Sequence, residues 1–419
     1  MTVDSADPAP TGRTVLIRVS GHDRPGITAG LLELLAGHDV DVYDMEQVVV
    51  RERLTLDVLV GVSGGDDSLK DALFWAFESG VQLDFEMVEP TSTRAGLPRT
   101  VVTTVGSHDR MTPAALGAIT RAIAAAGGNI DRILRLARYP VRSFEFVVVD
   151  GDSDELRTRV VEASAEHGVD VAVQRGDIVR RGSRLVVMDV DSTLIRNEVI
   201  DLLAEEVGVR DEVVAITESA MAGELDFATS LRRRVALFAD VPVEVLDRVY
   251  ERVDLTAGAR TFVRTLKRLG FKVALVSGGF GSVVRRLADD VGVSRVAANE
   301  LEVVDGRLTG RLVGEIVDRA GKARVLESFA AANDIPMSQT VAIGDGANDL
   351  DMLAVAGLGI AFNAKPIVAE SADTAITVPY LDAILFLLGI RREEVEAADV
   401  ADPAVETNGL VAIPGTPPA

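Results

Sequence analysis

The feature that most constrains the fold of this chain is an internal repeat within its first 180 residues. An apolar segment at 13–19 leads into the triplet His22-Asp23-Arg24, and a similar segment at 99–105 leads into His108-Asp109-Arg110, 86 positions further on. A helical stretch follows each triplet. A duplicated segment folds twice into the same supersecondary unit, so the repeat predicts two similar N-terminal domains.

The order of elements within each copy identifies the unit. Each copy begins with a strand and a helix, continues with two strands, and ends with a second helix and a strand. The predicted helices cover 27–36, 69–78, 114–126 and 156–167, and the clearest further strands cover 54–62 and 144–149. This order is that of the ferredoxin-like βαββαβ fold. We therefore predict two such domains, at 13–92 and 98–178.

The repeated unit resembles the ACT domain, a small regulatory module that binds amino acids where two domains pair. In that family an acidic residue and a glycine lie near the ligand in the turn after the first strand, and here they are Asp23 and Gly26. The second copy has Met111-Thr112-Pro113 at the equivalent of 25–27, so the two copies are not expected to bind a ligand equally. The resemblance implies an amino-acid effector such as L-serine, and a homodimer.

Composition and charge exclude several classes of function. The net charge of -22 disfavours binding to nucleic acid or to an anionic membrane, because the overall field repels phosphate groups. The chain has no cysteine, which excludes disulfides, thiolate metal sites and cysteine nucleophiles. The N-terminal residues lack a basic-then-apolar signal, and the apolar stretch at 383–390 is too short to span a bilayer. These features predict a soluble cytoplasmic protein.

From residue 184 onward, apolar strands alternate with helices, which predicts a doubly wound, Rossmann-like α/β domain with a parallel sheet over 184–390. The predicted strands cover 185–188, 272–276, 340–343, 359–362 and 375–378. An insertion at about 198–254 has helical periodicity and is interpreted as a helical cap. Residues 391–419 are rich in Glu, Ala and Pro and are predicted to form a flexible tail.

Two carboxylates, Asp189 and Asp191, follow the first apolar strand of this domain. Side chains two residues apart along a strand project to the same side, and two ionised carboxylates this close favour a bound cation or a shared proton. Taken alone, the pair is explained equally well as acidic residues in a surface turn.

Three further segments lie at strand ends or at the start of the following helix. Ser277 and Gly278 follow the second predicted strand, Lys322 opens a helix, and Asp345 and Asp349 follow the third strand. Each has a simple structural explanation: a glycine turn, a solvated lysine, or a capping aspartate. Together they are more specific, because open α/β sheets bind ligands at the carboxyl ends of their strands.

In this order the segments resemble the four motifs of the haloacid-dehalogenase-like phosphatases. The resemblance implies phosphoryl transfer, which requires a positioned nucleophile and neutralised phosphate oxygens. Asp189 would attack phosphorus, and Asp191 would act as general acid and then general base. Mg²⁺ would be held by Asp189, the backbone carbonyl of Asp191 and Asp345, with Asp349 close behind or bound through water. The residues assigned to the phosphoryl oxygens are Ser277, Gly278 and Lys322.

The cap insertion indicates the substrate, a small phosphomonoester. Within the superfamily, the segments around Glu198 and 230–235 resemble the members that hydrolyse phosphoserine, which implies that Glu198 and Arg234 contact the amino acid and that Asn348 adds a contact. The chemistry agrees, because an ammonium group suits a carboxylate and a carboxylate suits a guanidinium fork. The alternatives are a phosphatase for another small phosphomonoester, a phosphotransferase, or an amino-acid sensor with residual phosphatase activity.

Overall fold

The computed structural model describes residues 13–63, 65–89, 99–176, 182 and 185–402. The chain divides into two compact units, residues 1–96 and residues 97–419. The predicted domain boundaries near 92, 98, 178 and 184 and the tail beyond residue 402 lie outside the described residues. No helix within the described ranges is long and apolar enough to cross a membrane.

The first unit contains one copy of the repeat. Its elements are the strands β1 (Arg13–His22), β2 (Val40–Val50), β3 (Arg53–Val62) and β4 (Gln82–Met87) and the helices Ile27–Ala36 and Asp67–Ser79. The antiparallel sheet has the order β2-β3-β1-β4. Alternate residues of β1, namely Val15, Ile17 and Val19, are fully buried, because strand side chains alternate between faces and one face packs on the helices.

The second copy opens the second unit. Its elements are β5 (Arg99–Gly106), β6 (Asn129–Ala137), β7 (Arg142–Val149) and β8 (Asp170–Arg175) and the helices Pro113–Ala125 and Ser153–Ala165. Its sheet order, β6-β7-β5-β8, repeats that of the first copy. The prediction of two ferredoxin-like domains is therefore confirmed. The first helix of the second copy has 13 residues, whereas the first helix of the first copy has 10.

A seven-stranded sheet forms the rest of the second unit. Its strands are β9 (Leu185–Asp189), β10 (Lys272–Phe280), β11 (Arg295–Val304), β12 (Arg307–Val313), β13 (Thr340–Gly344), β14 (Leu358–Phe362) and β15 (Thr374–Ile376), in the order β12-β11-β10-β9-β13-β14-β15. The strands from β11 to β15 along this order are parallel, whereas β12 is antiparallel to β11. The hairpin of β11 and β12 was not predicted, because its polar and apolar residues are mixed and form no continuous apolar run.

Both faces of this sheet are covered, as the Rossmann-like prediction requires. In β9, Val186 and Met188 belong to one buried cluster, and Leu185 and Val187 belong to another. Helices pack on the two faces: Ala259–Arg268, Gly281–Val291, Arg319–Ala331, Leu350–Val355, Pro366–Ser371 and Ile384–Leu387. Between β9 and β10 the predicted cap consists of the helices Val199–Val207, Arg210–Met221, Phe227–Ala236 and Val245–Glu251.

The prediction of a flexible tail from residue 391 is wrong for the first residues of that segment. Residues Arg392–Val400 form a helix whose Val395 is buried. Arg264 donates hydrogen bonds to both carboxylate oxygens of Asp399 near the end of this helix, at 3.0 and 2.6 Å. The composition of the segment favours fraying, whereas Arg264, which holds the end of the helix, lies 135 positions away from Asp399 in the sequence.

The second ferredoxin-like copy packs directly against the seven-stranded domain. Its residues Val105, Leu136 and Ala172 belong to the same buried cluster as the core of that domain. The carboxylate of Asp170 accepts hydrogen bonds from the backbone N and from Oγ1 of Thr377, at 2.8 and 2.9 Å. The second copy is therefore part of the same packed body, which a deletion at residue 180 would break.

Candidate active site

Three neighbouring strands end at one edge of the seven-stranded sheet. β9 lies between β10 and β13. After β9 the chain continues on one side of it, through β10, β11 and β12, and then crosses to the other side, where β13, β14 and β15 follow. The carboxyl ends of the three strands therefore meet at a topological switch point, where open α/β sheets bind ligands. This arrangement places Asp189, Ser277 and Asp345 together although they are far apart in the sequence.

Lys322 lies at the centre of a buried ionic group. Its ammonium nitrogen is 2.8 Å from Oδ1 of Asp189 and 2.7 Å from Oδ1 of Asp349, and all three side chains are almost completely buried. Asp318 caps the helix that carries Lys322 by accepting a hydrogen bond from Gly321 N at 2.7 Å. The simple interpretation of Lys322 as a solvated surface lysine is therefore wrong.

The pKa values of Asp189 and Lys322 are both shifted upwards within this ionic group. Burial and the neighbouring Asp349 hold the pKa of Asp189 well above its usual value, and Lys322 only partly offsets them. Burial lowers the pKa of Lys322, but Asp189 and Asp349 outweigh this effect and keep the pKa above the ordinary lysine value. Lys322 thus stays charged and favours the ionised form of Asp189, but it does not fully offset the effect of burial.

The carboxylate of Asp191 accepts its hydrogen bonds from residues other than those that bind the carboxylate of Asp189. Its Oδ1 accepts a hydrogen bond from Val199 N at 2.8 Å, and its Oδ2 accepts one from Ser277 Oγ at 3.1 Å. Burial raises the pKa of Asp191, and its hydrogen bonds lower it only in part. Between Asp191 and Val199 the chain turns sharply through Ser192, whose φ is 56°. Asp191 is thus oriented and biased towards holding a proton.

Three carboxylates are close enough to bind one cation. Asp189, Asp345 and Asp349 each offer an oxygen atom, and these oxygens lie within 4.8 Å of one another. Thr193 Oγ1 orients Asp345 by donating to its Oδ1 at 3.3 Å. Burial and the charge of Asp349 raise the pKa of Asp345 to about 6. A buried cluster of carboxylate oxygens short of positive charge suits a hard divalent cation.

A cavity of about 710 Å³ separates this group from the cap. Seven of the predicted site residues line it: Asp189, Asp191, Glu198, Arg234, Gly278, Asp345 and Asn348. Ser277, Lys322 and Asp349 are fully or almost fully buried and contact the cavity-lining residues Asp191, Asp189 and Gly346, respectively. The structure therefore brings together all ten site residues predicted in this domain.

The glycines after β10 allow the close approach of two groups. A Cβ atom at Gly278 would lie 3.2 Å from the ring of Phe227 in the cap, and one at Gly279 would lie 2.8 Å from Oδ2 of Asp191. Larger residues would push the cap ring or the acidic side chain out of place. The Ser-Gly-Gly sequence is thus explained by packing as well as by ligand binding.

The cap contributes charged groups of both signs. Glu198 accepts a hydrogen bond from Ser192 Oγ at 2.8 Å, and burial together with the charge of Asp191 raises its pKa to about 7. Burial lowers the pKa of Arg234, whereas Asp201 and Glu198 raise it. The cap side of the cavity thus presents a guanidinium and carboxylates to a bound molecule.

Sequence reasoning missed four polar residues that line the cavity: Asp201, Thr217, Ser230 and Lys365. Asp201 lies three residues after Glu198 on a predicted helix, a spacing that places both on one face. Lys365 follows the end of β14, so the rule that located Asp345 could have located it too. Ser230 carried no signal of its own.

Outside this domain, a separate cavity of about 470 Å³ lies in the first unit. Asp23 and Gly26, the predicted effector residues, both line it, together with Thr28, Gln47 and Leu54. Gly26 precedes the helix Ile27–Ala36 with φ of 97°, and no side chain caps that helix. In the second copy, Thr112 caps the equivalent helix by accepting a hydrogen bond from Ala115 N at 3.2 Å.

Comparison with known protein families agrees with this architecture. Residues 186–354 match the haloacid dehalogenase-like hydrolase family, and residues 13–86 and 100–174 each match an ACT domain. Both resemblances inferred from the sequence are therefore confirmed.

The similar proteins extend over nearly the whole chain. A phosphoserine phosphatase of Streptomyces coelicolor is 53% identical over 92% of this chain and 94% of its own length. One of Mycobacterium tuberculosis is 49% identical over 94% of this chain and 97% of its own length. Among solved structures, a haloacid dehalogenase family hydrolase of Salmonella enterica has a TM-score of 0.61 at 29% identity, and covers 69% of this chain and 98% of its own.

Proposed function

The chain belongs to the phosphoserine phosphatase family of haloacid dehalogenase-like hydrolases, and we propose that it hydrolyses O-phospho-L-serine to L-serine and phosphate. It is a phosphoric monoester hydrolase. One observation carries the choice of substrate: the same cavity has Asp189 and Asp191 on its sheet side and Glu198 and Arg234 on its cap side. A phosphorylated amino acid presents complementary groups to both sides.

The proposed reaction proceeds in two steps. In the first, a carboxylate oxygen of Asp189 attacks phosphorus, the bond from phosphorus to the serine oxygen breaks, and Asp191 gives its proton to that oxygen. In the second, Asp191 takes a proton from water, whose oxygen attacks the aspartyl-phosphate and releases phosphate and the Asp189 carboxylate. The raised pKa of Asp191 supports its role as the proton donor, since it favours the protonated form.

Mg²⁺ is the cofactor that we propose for this site. The carboxylates of Asp189 and Asp345 and the backbone carbonyl of Asp191 would hold it, with Asp349 close behind or bound through water, because Mg²⁺ prefers oxygen ligands. When bound, the ion supplies positive charge to the phosphate oxygens and to the nucleophilic carboxylate. The raised pKa values of Asp189 and Asp345 support this assignment. Ser277, the Gly278 amide and Lys322 would contact the remaining phosphoryl oxygens.

Recognition of the amino acid is assigned to the cap. Glu198 would pair with the substrate ammonium group, and Arg234 would form two hydrogen bonds to the substrate carboxylate. Asn348, on the opposite wall, would add a polar contact. Phosphomonoesters without these two groups would leave Glu198 and Arg234 unpaired, and we expect them to be poorer substrates.

Replacing Glu198 by glutamine tests this substrate assignment. We expect kcat/KM for phosphoserine to fall about a hundredfold, because the ammonium group loses its charged partner. For 3-phosphooxypropanoate, which lacks the ammonium group, kcat/KM should change little. Glu212→Gln, at an exposed position of the cap helix Arg210–Met221, is the control. Equal losses with both substrates would contradict the assignment.

Glu198 also predicts a pH dependence. Its pKa of about 7 means that the carboxyl group is ionised above pH 7 and increasingly neutral below it. Lowering the pH from 8 to 6 should therefore reduce kcat/KM for phosphoserine more than for 3-phosphooxypropanoate. Glu198→Gln should abolish this difference between the two substrates; an unchanged difference in the variant would assign the titration to another group.

We propose further that L-serine binds in the cavity of the first ACT domain and inhibits the enzyme. The Asp23 carboxylate suits the effector ammonium group. The uncapped amides after Gly26 suit its carboxylate, since helix N-termini attract anions. Thr112 occupies one of the equivalent amides, that of Ala115, in the second copy, which supports the first copy as the effector site.

A chain beginning at residue 99 is expected to keep phosphatase activity and to lose the inhibition by L-serine. This boundary leaves the second copy packed on the phosphatase, whereas deletion through residue 180 would remove Val105 and Ala172 from the shared core. Full-length Asp23→Ala should reproduce the loss of inhibition. Identical L-serine titrations for all three proteins would exclude the first ACT domain as the regulatory site.

A homodimer is the proposed assembly. Strand β2 is an edge strand of the first unit and exposes Met45, Val48 and Val50. Unpaired apolar edge strands favour pairing with another chain. Val48→Lys should shift the mass measured by light scattering towards that of a monomer, and Leu269→Lys, an exposed site in the second unit, should not.

The cytoplasmic location predicted from the composition stays a prediction.

A further inference from the structure

Two polar atoms on the cap side of the cavity lack hydrogen-bond partners. Among the described residues, eight buried side-chain nitrogen or oxygen atoms have no partner. Two of them, Ser230 Oγ and Arg234 Nε, belong to residues that line the active-site cavity. Buried polar atoms are normally satisfied, so an unpaired pair beside one cavity requires an explanation.

Ser230 and Arg234 lie on one face of the cap helix Phe227–Ala236. They are four residues apart, so their side chains are neighbours on successive turns. Phe227 and Leu231 line the cavity from the same face. Arg234 already has an assigned role towards the substrate carboxylate, which places Ser230 beside the position of that group.

The hydroxyl of Ser230 is not used by its own helix. A serine within a helix often donates to the carbonyl four residues earlier, but Ser230 Oγ makes no such bond to Asp226. The backbone N of Ser230 donates to Asp226 O at 2.9 Å, so the helix is regular here. The residue is 1% exposed, and no other group of the described chain supplies the missing partner.

An unpaired buried hydroxyl costs stability that an alanine would not cost. Alanine would also fit the space and is a better helix former. The serine is thus unfavourable for the free protein, which is the pattern expected of a group that finds its partner only when a ligand binds.

We propose that Ser230 Oγ donates a hydrogen bond to the substrate carboxylate beside Arg234, and so helps to select substrates that carry an α-carboxylate. A carboxylate has about four lone-pair sites and a guanidinium fork uses two of them, which leaves sites for a hydroxyl. The phosphoryl group is held on the sheet side by Ser277 and Lys322, and the ammonium group by Glu198. This assignment rests on the proposed hydrolysis of phosphoserine.

Kinetics of Ser230→Ala with two related compounds test the proposal. We expect KM for phosphoserine to rise about tenfold with kcat changed less than about twofold, since one hydrogen bond to a charged group is lost. O-phosphoethanolamine lacks the carboxylate, and its KM, or its inhibition constant against phosphoserine, should stay the same. The melting temperature of the variant should be equal to or above that of the parent protein.

A control variant and the activity of the parent protein keep the outcomes distinct. Ser68→Ala removes another buried, unpaired helical hydroxyl, in the first unit, and should leave both KM values unchanged. An unchanged KM of Ser230→Ala for phosphoserine, or equal changes with both compounds, would overturn the proposal. If the parent protein does not hydrolyse phosphoserine, the proposed function fails instead.

Discussion

Replacing Asp189 by asparagine is expected to abolish phosphate release from phosphoserine, with kcat falling by roughly four orders of magnitude or more. The amide has nearly the shape of the carboxylate but is a far weaker nucleophile, so no aspartyl-phosphate can form. Asparagine also removes a buried carboxylate whose pKa is raised by burial and by Asp349, and the fold is therefore expected to persist. Phosphate release and the circular dichroism spectrum measure the two effects.

The covalent intermediate gives this prediction a second readout. Parent protein quenched in acid during turnover should carry a phosphoryl group on the peptide that contains Asp189, detected by mass spectrometry. Asp189→Asn should show none, and Asp211→Asn, on the exposed surface of the cap, should behave like the parent. Full activity of Asp189→Asn, or a phosphoryl group on another residue, would contradict the covalent mechanism.

Replacing Lys322 by methionine is expected to cause the largest loss of stability of any single change in the site. The ammonium group lies between the buried carboxylates of Asp189 and Asp349, and removing it leaves both without their buried cation. Breaking such a group typically costs about 3–5 kcal/mol in the free energy of unfolding. Chemical denaturation with EDTA present, so that no metal compensates, measures the loss. Phosphatase activity should disappear as well.

The pH dependence of this loss follows from Asp189. Without Lys322, the folded-state pKa of Asp189 lies further above its unfolded-state value, so stability falls as the pH rises through the interval between the two values. The destabilisation should therefore be larger at pH 8 than at pH 5. Combining Lys322→Met with Asp349→Asn should restore part of the stability. Lys272→Met, at an exposed site, should cost little at either pH; a loss that is independent of pH would exclude the ionic explanation.

The local patterns of this chain predicted its elements well where the patterns were strong. The repeat at Asp23 and Asp109 and the apolar runs of β9 and β13 predicted the correct domains and strands. The hairpin of β11 and β12 was missed because an edge hairpin needs no continuous apolar run. The helix Arg392–Val400 was missed because Arg264, far away in the sequence, holds its end.

The acidic and glycine motifs also predicted which residues form the site, since strand ends in an open α/β sheet converge whatever the spacing along the chain. They could not predict how each side chain is used. In the structure, Lys322 points inward between two carboxylates. The carboxylate of Asp191 accepts hydrogen bonds from Val199 and Ser277. Such assignments depend on distances between elements that no local pattern contains.

By itself, the sequence determined the two repeated domains, the α/β domain after them, and which residues meet around the cavity, because periodicity and strand-end position are properties of short segments. The tertiary structure alone decided three further features: the fusion of the second repeat to the phosphatase core, the buried charge of Lys322, and the unpaired hydroxyl of Ser230. Burial, desolvation and the absence of a hydrogen-bond partner arise only when segments distant in the sequence pack together.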